Sequence, residues 1–364
     1  VTGDSTRGDG RNVDPELGLL AGEAAQQAVP SERAGTGGAE PFDVWTGIPS
    51  AARTRDDVTY YERPVLKEPT WIWAVPVYFW VGGAAGAAAV LGAAAQSADR
   101  TGLPGLITRC RWIAASGGLA GTALLIYDLG RPARFLNMLR VFRPSSPMNM
   151  GSWILSSMAP LAAGSAVLAG APGILGAAGD AAGLGAGALG GPLAGYTAVL
   201  VSNTAVPVWQ STRRASPVAF MASAMAAAAG LLQLTRLSDR EDRIVRRFSI
   251  AGAVVGFAAD RALEREAGEV EQVAKPLHEG VSGRMLRAGK VLSAISLLLN
   301  MLPGRSRTRS VAAGLTGTVG SLAFKWGLFE AGRASARDPR ATFRQQRAGR
   351  GGTEATGHPA VTSS

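Results

Sequence analysis

Pro217-Val-Ala-Phe-Met-Ala-Ser-Ala-Met-Ala-Ala-Ala-Ala-Gly-Leu-Leu-Gln-Leu234 runs for eighteen residues without a charge. A helix needs roughly twenty such residues to cross the hydrocarbon of a bilayer. Working outward, Trp71–Ala95, Trp112–Leu129, Gly151–Ala171 and Leu193–Trp209 precede this stretch, and Ile244–Ala259, Leu286–Leu302 and Val311–Leu328 follow it. The expected fold is therefore all-α, a polytopic integral membrane protein, with six of these stretches clean spans by hydropathy and two marked only weakly. The first, third, fifth and eighth stretches fit this pattern well. The sixth carries Arg246 and Arg247, leaving twelve clean residues from Phe248, and the seventh carries Arg287 and Lys290. Those two side chains must snorkel to the interface. The Gly/Ala run from Pro172 to Gly191, charged only at Asp180, reads as a loop.

Composition agrees with helices packed in lipid. Of 364 residues, 48 are Gly, and small residues let membrane helices approach closely, since packing rather than the hydrophobic effect joins them there. The mean hydropathy of +0.13 averages in two polar tails. Residues 1–59 read as a disordered extension with no apolar stretch like that of a secretory leader. Residues 338–364 read as a disordered tail, leaving 60–337 as the transmembrane domain. The first span is expected to serve as the insertion signal.

The net charge is +10, but the Arg residues lie in short loops between apolar runs. There they set topology and meet anionic lipid headgroups. No basic stretch is interleaved with aromatics as single-strand binders require, so nucleic acid is excluded as a partner. About twice as many Lys and Arg flank the spans on the amino-terminal side as on the other. That asymmetry predicts cytoplasmic termini in the inner (cytoplasmic) membrane, although Arg236–Arg247 runs against it locally.

One Cys and two His limit the redox chemistry. Cys110 alone cannot hold an iron–sulfur cluster, which takes four thiolates. His278 lies in a charged loop and His358 in the tail, so no span offers a haem ligand. The expectation is no haem and no iron–sulfur cluster in this chain. The Gly-rich stretches follow no strand and lack a phosphate-binding Lys, which excludes Rossmann and P-loop sites. No Ser–His–acid arrangement is available.

Polar residues at the membrane edge carry the functional signal. The turn after the second span reads Asp128-Leu-Gly-Arg131-Pro-Ala-Arg134-Phe-Leu-Asn137-Met-Leu-Arg140. Ionisable groups beside a bilayer are costly unless paired, and they often mark a site. Asp128, Arg131, Arg134 and Asn137 can bind a polar headgroup and relay protons; equally, Asp128 can pair with Arg131 or Arg134 and pin the turn. Tyr78 on span one, and Tyr196 and Asn203 on span four, add donors. Asn203 is expected mid-span, on one face with Tyr196 seven residues earlier. Trp71 and Trp73 read as interfacial belt residues.

Other charges admit two readings. Asp260 and Glu264 stand four apart, and Lys325 and Glu330 lie on span eight. They suit a proton relay, but more simply they are helix-end charges at the interface. The segment Asp260–Lys275 reads as a solvated helix or as a docking surface.

Five stretches in this order resemble the NrfD/PsrC family of membrane subunits. They are Tyr60–Lys67 leading into Trp71–Gly83, then Asp128–Arg140, Arg143–Trp153, Tyr196–Trp209 and Phe329–Arg337. The resemblance raises the count to about eight transmembrane helices and implies two four-helix bundles, with a quinone site in the first beside a docked ferredoxin-like iron–sulfur subunit. It implies a molybdopterin catalytic subunit beyond that, as in formate dehydrogenase or polysulfide and nitrite reductase-like complexes. Tyr78, Asp128, Arg131, Arg134, Asn137, Tyr196 and Asn203 are then the quinone-binding and proton-relay candidates. The Ala/Gly/Arg-rich composition suggests a GC-rich bacterium, where menaquinone is the expected carrier. Two rivals are a purely structural anchor without quinone chemistry and a secondary transporter; the latter should show repeats and interrupted helices, which the sequence lacks.

Overall fold

The computed structural model describes residues 65–304 and 306–348, with Phe42–Asp43 and Ile48–Pro49 before them. Those two pairs are strands β1 and β2, joined antiparallel, in a unit of residues 1–60 distinct from the helical unit that follows. The remainder of the expected disordered extension lies outside the described residues, as does most of the tail.

The helical unit contains α1 (Ala74–Asp99), α2 (Pro104–Leu129), α3 (Pro132–Met138), α4 (Pro147–Val167), α5 (Gly173–Ser202) and α6 (Pro207–Ser211). It continues with α7 (Ala215–Leu234), α8 (Asp239–Gly268), α9 (Glu271–His278), α10 (Gly280–Met301), α11 (Arg307–Arg337) and α12 (Pro339–Arg347). Proline opens five of them, where its missing N–H costs nothing and its fixed φ suits the first turn. Ser238 and Glu241 form a reciprocal capping box at the start of α8, satisfying two backbone donors.

By length and composition, α1, α2, α5 and α7 can cross a membrane. The eight long helices form two sets. In the first, α1 packs against α2 and α5, and α4 against α2 and α5; in the second, α11 packs against α7 and α10, and α8 against α7 and α10. Helix α1 also meets α7 and α11, joining the sets. Its buried face is Ala84, Ala85, Ala87 and Ala88 with flanking glycines. A Cβ on Gly86 would lie 2.4 Å from the Gly190 carbonyl oxygen, so α1 and α5 meet backbone to backbone.

Three expectations change. Pro172–Gly191 is not a loop but most of α5. Glycine weakens helices in water, but here Gly176, Gly179, Gly183, Gly187 and Gly190 are the buried face of one, and close packing compensates. The fourth span ends earlier than expected: α5 stops at Ser202, the chain turns, and Pro207 opens α6. Residues 339–347 of the expected tail are helix α12, capped by Asp338 with Ala341 fully buried.

The sixth span also runs on to Gly268, and Leu263, Ala267, Val273 and Leu277 are buried. Asp260–Lys275 is thus a packed segment broken near Val270 rather than a freely solvated helix.

Candidate functional site

Four helix ends of the first set enclose a cavity of about 50 Å³. Helical spacing supplies its walls: Val75, Tyr78 and Phe79 from α1, Leu124 and Asp128 from α2, Met148 and Ser152 from α4, Tyr196 and Leu200 from α5. Each set is three or four residues apart, so each helix turns one stripe inward. Trp71, Leu125, Leu129 and Met138 complete the lining.

The polar groups in this apolar shell are few and specific. The Tyr78 and Tyr196 hydroxyls form a hydrogen bond across α1 and α5, and Tyr78 is almost fully buried. Gly151 makes room for this pair: a Cβ there would lie 2.0 Å from the Tyr196 ring. Half-buried Asp128 uses Oδ1 to accept the Ile72 N–H at 3.3 Å, which fixes the entry to α1. Ser152 Oγ donates to the Met148 carbonyl at 3.0 Å.

The structure therefore brings Tyr78, Asp128 and Tyr196 to one cavity and sets the other candidates apart. Arg131, Arg134 and Asn137 are exposed on and beside α3. The Asp128–Arg pair allowed by the sequence is absent among the described residues; Arg134 instead donates from Nη1 to the Leu129 carbonyl at 2.9 Å. Its role is to cap the end of α2. Asn203 is the exposed C-cap of α5, not a mid-span residue, because α5 begins twenty residues before the expected span. Trp73 is 54% exposed, as a belt residue should be. Trp71 instead stacks on Trp209 at 5.8 Å and on Phe329 at 6.4 Å.

Several organising residues were not singled out from sequence. Asn149 clips the α3–α4 turn: Nδ2 donates to the Met138 and Val141 carbonyls at 2.5 and 2.9 Å, and Oδ1 accepts from the Arg143 N–H at 2.6 Å. It stands inside the quoted Arg143–Trp153 stretch, between Pro147 and Gly151, which is a turn-then-helix signal. Glu68 joins the segment before α1 to the end of α11. It accepts from Arg333 Nε at 2.6 Å and from Arg337 Nε and Nη2 at 2.7 and 2.6 Å. The Arg337 hydrogen bonds, then those of Arg333, hold the Glu68 carboxyl below its usual range against the opposing cost of desolvation.

A further knot lies at the opposite end of α2 from the cavity. Buried Arg111 donates to Asp180 Oδ1 at 2.7 Å, Gln96 Oε1 at 2.9 Å and the Ser165 carbonyl at 3.3 Å. One guanidinium thus ties α2 to α1, α4 and α5. Arg111 preceded the drawn second span, and Asp180 stood out only as the one charge of the supposed loop, so the pairing was not foreseen.

A helical membrane protein is the class these features define. Residues 65–175 match the model of the family described as polysulphide reductase, NrfD. This part of the chain is an NrfD domain, and the NrfD/PsrC assignment read from the sequence stands. The match runs from the segment before α1 to the start of α5, and so includes the α2–α4 turn and most of the cavity. No curated protein matches the chain.

Proposed function

We propose that this chain is the quinone-reactive membrane subunit of a respiratory oxidoreductase complex. The observation that carries the reading is the juxtaposition of Tyr78, Tyr196 and Asp128 around one apolar cavity at a common helix end. A quinone is a flat apolar ring with two carbonyls. It calls for apolar walls, a hydrogen-bond donor and a group that exchanges protons with water. Val75, Leu124, Leu125 and Leu200 supply the walls. The tyrosine hydroxyls donate, each able to release its bond to the other, and Asp128 holds or passes a proton at the half-exposed rim. Quinone chemistry moves electrons and protons together, so electrons need a donor or acceptor outside this chain.

In this reading the eight long helices cross the inner membrane as two four-helix bundles, with the termini in the cytoplasm. A ferredoxin-like iron–sulfur subunit docks on the exposed α2–α4 turn, where Arg131, Arg134, Asn137 and Arg140 stand beside exposed Leu136, Val141 and Phe142. A molybdopterin catalytic subunit lies beyond it, and menaquinone is the proposed carrier.

Asp128→Asn tests this in membranes holding the assembled complex. The amide keeps the Ile72 bond but carries no exchangeable acid, so quinone turnover should fall while the partner still co-purifies. Full turnover, or joint loss of partner and turnover, would make the turn scaffolding and the chain a structural anchor.

A further inference from the structure

The second helix set has an open side. Helix α8 packs mainly on α7, and α10 on α11, which leaves a groove between α8 and α10 with α7 and α11 as its floor. Along α8 the groove runs from Ser249 to Asp260, roughly 16 Å at 1.5 Å per residue. One leaflet of a bilayer is about as deep, half of ~30 Å of hydrocarbon. Exposed Val254 and Val255 on α8, and exposed Val291 and Ile295 on α10, flank the opening.

The surface inside the groove is small and mostly apolar. Ala222, Ala226, Ala253, Phe257, Gly317 and Phe324 contribute most of its character. Serines also line it, but their hydroxyls are turned onto protein. Ser223 donates to the Ser321 carbonyl at 3.3 Å, Ser321 to the Thr318 carbonyl at 2.7 Å and Ser296 to the Ala313 carbonyl at 2.8 Å.

Gly256 is the informative residue of the lining. Glycine weakens a helix, and most glycines here are required by a close neighbour. A Cβ on Gly252 would lie 2.8 Å from Met225 Cβ, and one on Gly289 would lie 3.1 Å from the Gly320 carbonyl oxygen. A Cβ on Gly256 would meet only Ala222 Cβ, at an ordinary 3.6 Å. Packing within the chain does not demand glycine there. Its effect is to keep the groove clear.

Charge stands at one end alone. Asp260 and Lys290 are the only charged residues of the lining, and no charge follows Arg247 on α8 before Asp260, or Lys290 on α10 before its end. Lys290 Nζ sits 2.9 Å from Asp260 Oδ2 and also bonds Glu264. Two carboxylates thus share one ammonium and leave a negative charge over, while the next residue, Arg261, is exposed. An apolar slot one leaflet deep, with both signs of charge at its outer end, has the shape and polarity of an amphiphile.

We propose that the groove between α8 and α10 is a binding site for one phospholipid with an ethanolamine headgroup. One acyl chain lies along the groove from Asp260 towards Ser249. The headgroup ammonium donates to the Asp260 and Glu264 carboxylates, and the phosphate meets Arg261. A choline headgroup has no N–H to donate and a glycerol headgroup has no cation, so neither matches this end. The site rests on the second helix set lying in the bilayer, as in the reading above, and not on quinone chemistry.

Two measurements on the full chain test it. In detergent with equal amounts of phosphatidylethanolamine and phosphatidylglycerol, native mass spectrometry should show one phosphatidylethanolamine retained per chain. Gly256→Leu should lower that retention about tenfold, the effect of keeping roughly two methylenes out of an apolar site. Should that variant fail to fold, Ser293→Leu fills the same space. In nanodiscs, phosphatidylethanolamine carrying a diazirine in mid-chain should label Phe257 and Phe324 in the groove, and Gly256→Leu should remove this label while sparing exposed Leu315 and Val319 of α11. Label on Leu315 and Val319 without label in the groove would overturn the site and leave the membrane reading intact. No label at any of the four would take the second set out of the bilayer and overturn both. Equal retention of the two lipids, an isoprenoid quinone or a second copy of the chain retained in place of the lipid, or retention unchanged in a folded Gly256→Leu chain would also overturn the site.

Discussion

The two helix sets place their polar groups in opposite ways. In the first, α1, α2, α4 and α5 keep the interior nearly free of charge and concentrate polar side chains at the ends: Asp128 with the tyrosine pair at one, Arg111 with Asp180 at the other. In the second, serines, Asn300, Gln233 and Lys325 run through the interior itself. Three of the four helices apolar enough to cross a membrane belong to the first set and only α7 to the second. The first set is built as a dry wall around an end cavity. The second carries buried polar side chains along its length.

That contrast breaks most severely where backbones touch. Gly86→Leu would force a side chain into the Gly190 carbonyl 2.4 Å away. Overpacking of this kind costs about 3 kcal/mol or more where neither side can move. The expected outcome is loss of the monodisperse peak in size-exclusion chromatography. Gly191→Leu, where a Cβ meets nothing within 4 Å, should leave the peak intact. Equal losses in both would mean that α5 dislikes any large residue and that the close approach is not what matters.

Next comes the charge knot. Arg111→Ala leaves Asp180 buried with only Arg100, itself 64% exposed, as partner. Removing one member of a buried pair costs about 3–5 kcal/mol. Lys290→Ala in the second set removes an ammonium that is about one third exposed, so solvent already weakens the pair and the cost should be smaller. Thermal unfolding of the two variants in one detergent gives the order; a reversal would mean that the exposure of the departing cation does not set the cost.

Gly151→Ala sharpens the comparison at the site. A methyl group 2.0 Å from the Tyr196 ring must push that ring off Tyr78, at a cost of about 1–3 kcal/mol. Quinone turnover should drop more than stability does. Arg134→Ala should be milder than Asp128→Asn, since Arg134 caps α2 and does not neutralise the carboxylate. Turnover unchanged in Gly151→Ala would detach the tyrosine pair from the chemistry.

How much of this was legible in the sequence follows from the same contrast. Hydropathy marked six of the long helices cleanly, because an apolar run is a local property, and the charged α8 and α10 only weakly. It misread Pro172–Gly191, because glycine signals a loop unless a partner backbone is known to approach, and the partner, Gly86, lies far away in sequence. That error displaced Asn203 from the end of a helix to its middle. Tyr78, Asp128 and Tyr196 were readable as polar groups near helix ends. Their meeting at one cavity depends on how α1, α2 and α5 pack, which no local pattern encodes. Lys325 could be read equally as an interfacial charge, since only its neighbours on α1 and α7 show it to be buried.

The smallest expected effect concerns the clamp between the segment before α1 and the end of α11. Glu68 carries two arginines, with Arg337 the stronger influence and Arg333 the next. Its folded carboxyl is therefore held below the ordinary range of about 4.3 for a free glutamate. A carboxyl depressed on folding contributes stability that is present above its unfolded value and is lost as pH falls through the lower, folded one. Arg337 is more than half exposed, so solvent screens the pair and the contribution should stay below about 1 kcal/mol. The wild-type chain should melt slightly higher than Glu68→Gln at neutral pH, and the gap should close as pH drops below about 4. Added salt should shrink the gap as well, because exposed charges are screened within about 10 Å at 0.1 M. A gap that persists unchanged at low pH would show that Gln cannot reproduce the shape of the clamp. Packing around Glu68, rather than its charge, would then hold the segment before α1 to α11.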